Sequence, residues 1–173
     1  KARSALLEEG LTGLDLIDLD LADLDDVATA ADTVQQRYGQ LDLLINNAGV
    51  MAPPYQRSRQ GHELQFAVNH LGHMALTQAL LPLLKRDARV VTVTSGAQYF
   101  GRIRWHDLAW QEQYDRFGAY SQSKLANVMF ALELDARLKR SGSGISSLAA
   151  HPGMARTNLQ RSNLTAESNQ LEH

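Results

Sequence analysis

Hydrophobic positions change rhythm several times along this chain, from short apolar runs to a spacing of three and four residues and back again. Residues 14–21 (LDLIDLDL) intermix apolar and acidic side chains and predict a strand. They lead into Leu24, Val27, Ala28, Ala31 and Val34, the stripe of a helix that continues to Tyr38 and stops at Gly39. Residues 41–46 (LDLLIN) are short and mostly apolar, the pattern of a strand covered on both faces, and Asn47, Ala48 and Gly49 end it. After a loop with Pro53 and Pro54, a helical period through Leu64, Val68, Leu71, Ala75 and Leu76 predicts a helix over 62–85, limited by Pro82. Residues 89–94 (RVVTVT) are β-branched and predict the clearest strand. A helix is predicted over 119–140, a turn at 141–144 (SGSG), and a last strand over 145–150 (ISSLAA).

Strand and helix in alternation predict an α/β fold built on a doubly wound parallel sheet. With 173 residues, 44% of them hydrophobic, the chain has material for one core, and a single domain is expected over 1–170. Leu171, Glu172 and His173 read as a cloning remnant ahead of a histidine tag. The net charge of −2 and pI near 6.3 supply no field for nucleic acid or anionic membrane. Without cysteine there is no disulfide framework, thiolate metal site or cysteine nucleophile, which suits a reducing compartment. No apolar stretch approaches the ~20 residues of a membrane span. A soluble, cytoplasmic protein is expected, in which the sequon at Asn163 stays unmodified.

In such sheets ligands bind beyond the carboxyl ends of the strands, so the polar residues that follow the strands should converge. These are Asn47 to Gly49, Ser95 with Gly96, and Pro152 with Gly153. Tyr120 and Lys124 stand one helical turn apart on the helix after Ser95, a phenol above an ammonium. A free phenol ionises near pH 10, so proton transfer near neutrality needs a partner that favours phenolate, and a nearby lysine is one. Rival patterns are incomplete. Ser121 to Lys124 satisfies SxxK but has no KTG or SDN partner, and His62 with Glu63 opens HExxH but meets Phe66. Ser95 lacks the preceding glycine of a GxSxG elbow, and His70 with His73 lack a third ligand, so no metal site is expected.

Taken together, Asn46 to Gly49 (NNAG), Asn69, Ser95, Tyr120 with Lys124, and Pro152, Gly153 and Thr157 (PGxxxT) resemble, in order, the short-chain dehydrogenase/reductase family. Residues 69–73 (NHLGH) and 123–127 (SKLAN) look most like its retinol dehydrogenase-like branch. The resemblance implies a Rossmann-like sheet and hydride transfer between NAD or NADP and a small carbonyl or alcohol substrate. It implies that Tyr120 is the general acid/base, that Lys124 favours phenolate and holds the nicotinamide ribose, and that Ser95 bonds the reacting oxygen. Asn69 would support the lysine through a water. For the cofactor it implies Asp20 and Leu21 at the adenine, Asn47, Ala48 and Gly49 along the adenosine ribose, and Thr157, after Pro152 and Gly153, at the carboxamide.

The family's glycine-rich turn after the first strand is not in these residues, and residues 1–10 look like the end of its second helix. A first βαβ unit and a last strand are thus expected to be missing from the sheet, which in the family's order 3-2-1-4-5-6-7 leaves a hole beside residues 14–20. The chain reads as the ordered part of a longer one, expected without bound cofactor, with true truncation the alternative. A second function class is an inactive scaffold of the same family that binds partners or forms a homo-oligomer through helices 62–85 and 119–140. Residues 99–120 hold seven of the chain's eleven aromatics, either an apolar substrate wall or packing for the insert.

Overall fold

A computed structural model describes residue 10 and residues 12–153; the expectations for 1–9, Thr157, Asn163 and 171–173 lie outside the described residues. Helix α1 (Leu24–Arg37) starts where Asp23 accepts from the Asp25 amide, and it carries Asp25 and Asp26 in its first turn and Arg37 in its last. Strand β1 (Leu41–Asn46) follows. A long helical stretch comes next in three pieces: α2 (Leu64–Phe66), a π-helical segment (Ala67–Leu71) and α3 (Gly72–Leu80). Glu63 opens it by accepting from the amides of Gln65 and Phe66, and a 3-10 turn holding Pro82 (Leu81–Leu83) closes it. Strand β2 (Leu84–Val93), a 3-10 helix (Gly96–Phe100), helix α4 (Arg116–Arg140) and strand β3 (Ser146–Ala150) complete the described order.

The three strands are parallel in the order β1-β2-β3, an incomplete form of the expected doubly wound sheet. Ile45, Val91 and Leu148 stand in register across it. Ala88 and Val90 are buried on the face toward the helices, with Leu44 and Leu134 packed against them. The opposite face is open among the described residues: Leu43 is 51% exposed, Ile45 54% and Leu148 47%. The expectation of β1 covered on both faces is therefore corrected.

Three other expectations change. Residues 14–20 form no strand and join no ladder, since an isolated segment has no described neighbour to pair with. The helix expected over 62–85 yields at Leu80, and β2 begins at Leu84, five residues before the β-branched run. Leu84 pairs with Leu41, the register then shifts before Leu43 meets Arg89, and Lys85 reaches Asp42 at 2.6 Å, so tertiary pairing overrides the polar sequence of residues 85–87. Helix α4 starts at Arg116 rather than 119, capped by Asp115.

Leu21 is buried against Gly72 at the start of α3, where a Cβ would run into the Leu21 carbonyl oxygen. This contact ties the end of residues 14–21 to the helical stretch that carries Asn69. Gly72→Ala should therefore lower the stability of the full-length protein by about 1–3 kcal/mol despite its better helix propensity. Gly39→Ala, which meets nothing within 4 Å, should stay within about 0.5 kcal/mol. Urea unfolding of both variants checks the contrast.

Candidate active site

Helix α4 carries a polar stripe, Tyr120, Ser123, Lys124 and Asn127, at one helical spacing, and all four are buried. Ser123 donates from Oγ to the Tyr120 carbonyl at 2.7 Å and receives the Asn69 amide nitrogen at 2.9 Å. Asn69 belongs to the π-helical segment and is fully buried. Its Oδ1 accepts from the Val50 amide at 2.8 Å while its Nδ2 also donates to the Val50 carbonyl at 2.9 Å. One amide thus clamps the loop after β1 to α4. His73, four residues on, is also buried and places Nδ1 3.1 Å from the Asn69 carbonyl oxygen. That carbonyl accepts, so Nδ1 is the protonated ring nitrogen. Burial lowers the pKa of His73, which keeps it neutral.

Gly49 lies over this clamp. A Cβ there would crowd Asn69 Oδ1 at 3.0 Å and meet Lys124 Nζ at an ordinary 3.5 Å, so the loop's approach to Asn69 favours glycine. Lys124 is 4% exposed, and its Nζ donates to the Val93 carbonyl at 3.3 Å and lies 5.7 Å from the centre of the Tyr120 ring. Two of its three N–H groups have no acceptor among the described residues. The Tyr120 hydroxyl has no protein hydrogen-bond partner among the described residues and keeps solvent access on a residue that is 7% exposed overall. Spare donors beside a glycine-lined loop suit the hydroxyls of a ribose, so the residues present fit a dinucleotide at this edge.

Ser95 is held near the same edge from two sides. Its Oγ accepts from the Ala97 amide at 3.3 Å and so caps the 3-10 helix, leaving its O–H free to donate. Thr94, its neighbour, donates to the Lys124 carbonyl at 2.9 Å, fixing the end of β2 to α4. His151 follows β3 and sits beside Gly96, which brings Pro152 and Gly153 to the same side as Ser95; both are exposed. Asn47 and Ala48 are exposed after β1. Asp20 is exposed too, with its carboxylate accepting from the Ala22 amide at 2.8 Å, and it reaches the site only through Leu21 and Gly72.

No role falls to Ser123, Thr94 or Asn127 from sequence, and His73 enters there only as a metal ligand with His70. The spacing of 120, 123, 124 and 127 on one helical face was the available signal for two of them. The aromatic insert divides. Trp110 is buried, stacks under the Arg104 guanidinium at 4.3 Å and presses its ring on Gly118, which is packing. Trp105 lines a groove of about 900 Å³ between α3 and α4 whose lining does not include Tyr120. Tyr99 and Phe100, at the far end of the 3-10 helix that Ser95 caps, are more than 80% exposed. Among the described residues no helix is long and apolar enough to cross a membrane, and no cluster of potential metal ligands occurs.

Burial lowers the pKa of Lys124 from 10.5 to about 8. Below pH 8 the amine is protonated folded and unfolded, and the full burial cost, about 3 kcal/mol, is present. Between 8 and 10.5 the unfolded chain holds the extra proton, so stability rises with pH, and above 10.5 the cost is gone. Denaturant titrations of the full-length protein and Lys124→Met should show wild type gaining up to about 3 kcal/mol on the variant across that window. A pH-independent difference would mean that the ammonium is solvated.

The family model for short chain dehydrogenase matches residues 2–168. Retinol dehydrogenase 12 of Bos taurus is 47% identical over 145 residues, which are 83% of this chain and 45% of that protein. The chain thus spans about half the length of the curated relatives it matches. An uncharacterized protein from Mycobacterium Paratuberculosis superposes with a TM-score of 0.76 at 50% identity, over 84% of this chain and 52% of that one. A short chain dehydrogenase/reductase from Burkholderia phymatum, solved with NAD, superposes with a TM-score of 0.72 at 22% identity over 94% of this chain and 56% of that one, and so matches in fold. With Ser95 just past β2, Lys124 bonded to the last carbonyl of that strand, and Tyr120 and Asn69 on the helices, the chain belongs to the short chain dehydrogenase family, in its retinol dehydrogenase-like branch.

Proposed function

We propose that the full-length protein is an NAD- or NADP-dependent oxidoreductase that interconverts a carbonyl and an alcohol, with an apolar substrate. One observation carries this reading: the buried Lys124 uses one of its three N–H groups among the described residues, beside the Tyr120 ring and a loop that closes on it through Gly49. A buried ammonium ordinarily finds acceptors for its protons, so donors held in reserve on Lys124 point to a ligand. The nicotinamide, when bound, supplies or accepts the hydride.

The remaining chemistry is the protein's own. Tyr120 gives its phenolic proton to the carbonyl oxygen in the reductive direction and takes the alcohol proton in the oxidative one. Lys124 holds the ribose and places positive charge near the ring, favouring phenolate. Ser95 donates its free O–H to the reacting oxygen as charge develops there. Asn69 keeps the loop after β1 and helix α4 at fixed separation, and in this reading its neighbourhood also holds the water that serves Lys124. Asp20 and Leu21 meet the adenine, Asn47, Ala48 and Gly49 border the adenosine ribose, and Pro152 and Gly153 lead to Thr157 at the carboxamide. The exposed Tyr99 and Phe100, on the 3-10 helix that Ser95 caps, favour an apolar substrate over a charged one.

A second reading, an interaction scaffold that self-associates through these helices, is favoured by the groove between α3 and α4 with Met129 and Leu132 exposed on its rim. Calorimetry of the full-length protein with NAD and NADP separates the two, since a scaffold would bind neither. For the enzyme, Tyr120→Phe should lower turnover by at least about 100-fold with both apolar aldehydes and secondary alcohols, followed at the nicotinamide absorbance. A loss below about tenfold would contradict the role given to Tyr120.

A further inference from the structure

We propose that Asn127 is a positioning residue for Lys124, acting through the Val93 carbonyl that both side chains share, and that His70 holds Asn127 in the amide orientation this requires. The proposal rests on the reading of Lys124 as part of the reaction site. Val93 is the last residue of β2, two positions before Ser95, and its carbonyl accepts from Lys124 Nζ at 3.3 Å and from Asn127 Nδ2 at 3.1 Å. Asn127 is 1% exposed, and its Oδ1 lies 3.2 Å from His70 Nδ1.

The directions of these bonds follow from what each atom can do. A carbonyl only accepts, so the Asn127 atom facing Val93 is the NH2 group, and its oxygen must face His70. His70 Nδ1 then carries the proton. The other neutral tautomer would place a lone pair against Oδ1, or turn the amide so that two oxygens met at Val93. His70 sits between Phe66, with ring centres 5.1 Å apart, and Phe130, 6.2 Å away, and burial lowers its pKa, so it stays neutral. A chain of hydrogen bonds thus runs from the groove between α3 and α4, which His70 lines, through Asn127 and the end of β2 to the lysine. The donor face of Asn127 competes with the ammonium for one carbonyl and sets its positive end nearby, which fixes where Nζ rests and disfavours its charge. The titratable groups facing Lys124 are Tyr120 on its own helix and His73 on α3; neither takes part in this chain.

The test follows the ¹³Cε resonance of Lys124 against pH in full-length protein, assigned by its loss in Lys124→Met. It uses three variants whose folding is checked by circular dichroism. Asn127→Leu removes the competing donor. His70→Phe keeps a ring between the two phenylalanines but loses the donor, whereas His70→Asn keeps a donor where Nδ1 was and loses the ring. The Lys124 midpoint should rise by roughly half a unit in Asn127→Leu and His70→Phe and stay at the wild-type value in His70→Asn. The reverse order for the two His70 variants, as packing alone would give, or unchanged midpoints in both Asn127→Leu and His70→Phe, overturns the proposal. Because the resonance is read without turnover, this ranking in a protein that transfers no hydride would sink the proposed reaction and leave the positioning role standing.

Discussion

Lys124 carries an amine into the interior of the molecule, and much of the described structure can be understood as what that burial demands. A lone ammonium in a dry site costs several kcal/mol unless its protons find acceptors or its charge is given up. Here one proton goes to the Val93 carbonyl, and the rest of the cost remains as a lowered pKa. The carbonyl is available because β2 ends at Val93, where the ladder with β3 runs out and the Thr94 amide turns to Ala150. Residual cost at such a point is unfavourable for folding alone. It is the usual signature of a site that keeps binding capacity in reserve.

Keeping the lysine near the strand ends requires the helix opposite to depart from regular geometry. The π-helical segment over Ala67–Leu71 inserts extra backbone into the turn that carries Asn69. A regular helix would present Asn69 and His73 as ordinary neighbours one turn apart. In the wider turn Asn69 binds both polar groups of Val50 as well as Ser123, while its own carbonyl is bound by His73. The loop after β1 is thereby brought down until Gly49 meets the amide, and a Cβ there would crowd Asn69 Oδ1 at 3.0 Å.

The sequence made the order of elements legible where periodicity and breakers agreed. The apolar run of β1, the stop at Pro82 and the long stripe of α4 all lie close to where they were expected. It misled where tertiary partners decide. The run at residues 14–20 has strand chemistry but no described neighbour, and the charged start of β2 is a strand only because Leu41 and Asp42 stand beside it. Gly118 lies inside α4, where the Trp110 ring occupies the space a side chain would need. Within the site, Tyr120 and Lys124 were visible as a pair. The roles of Ser123 and Asn127 depend on which backbone carbonyls they face, and the π segment leaves no mark in composition that distinguishes it from ordinary helix.

The aromatic insert takes on a different meaning in this setting. Trp110 adopts φ +53, a left-handed conformation costly for a bulky residue, and its Nε1 is buried without a partner. Asp107 supports the strained turn by accepting from the Gln111 and Glu112 amides. The insert then grips α4 on both sides of the tyrosine: Trp110 at Gly118, and Arg104 and Leu108 through the Gln122 amide. Strain and a lost hydrogen bond are tolerated only where surrounding packing outweighs them, and the packing here is concentrated on the two turns that carry Tyr120. A phenol with no hydrogen bond of its own cannot be held by its hydroxyl, so its position must come from the backbone beneath it, and the insert is the element that fixes that backbone.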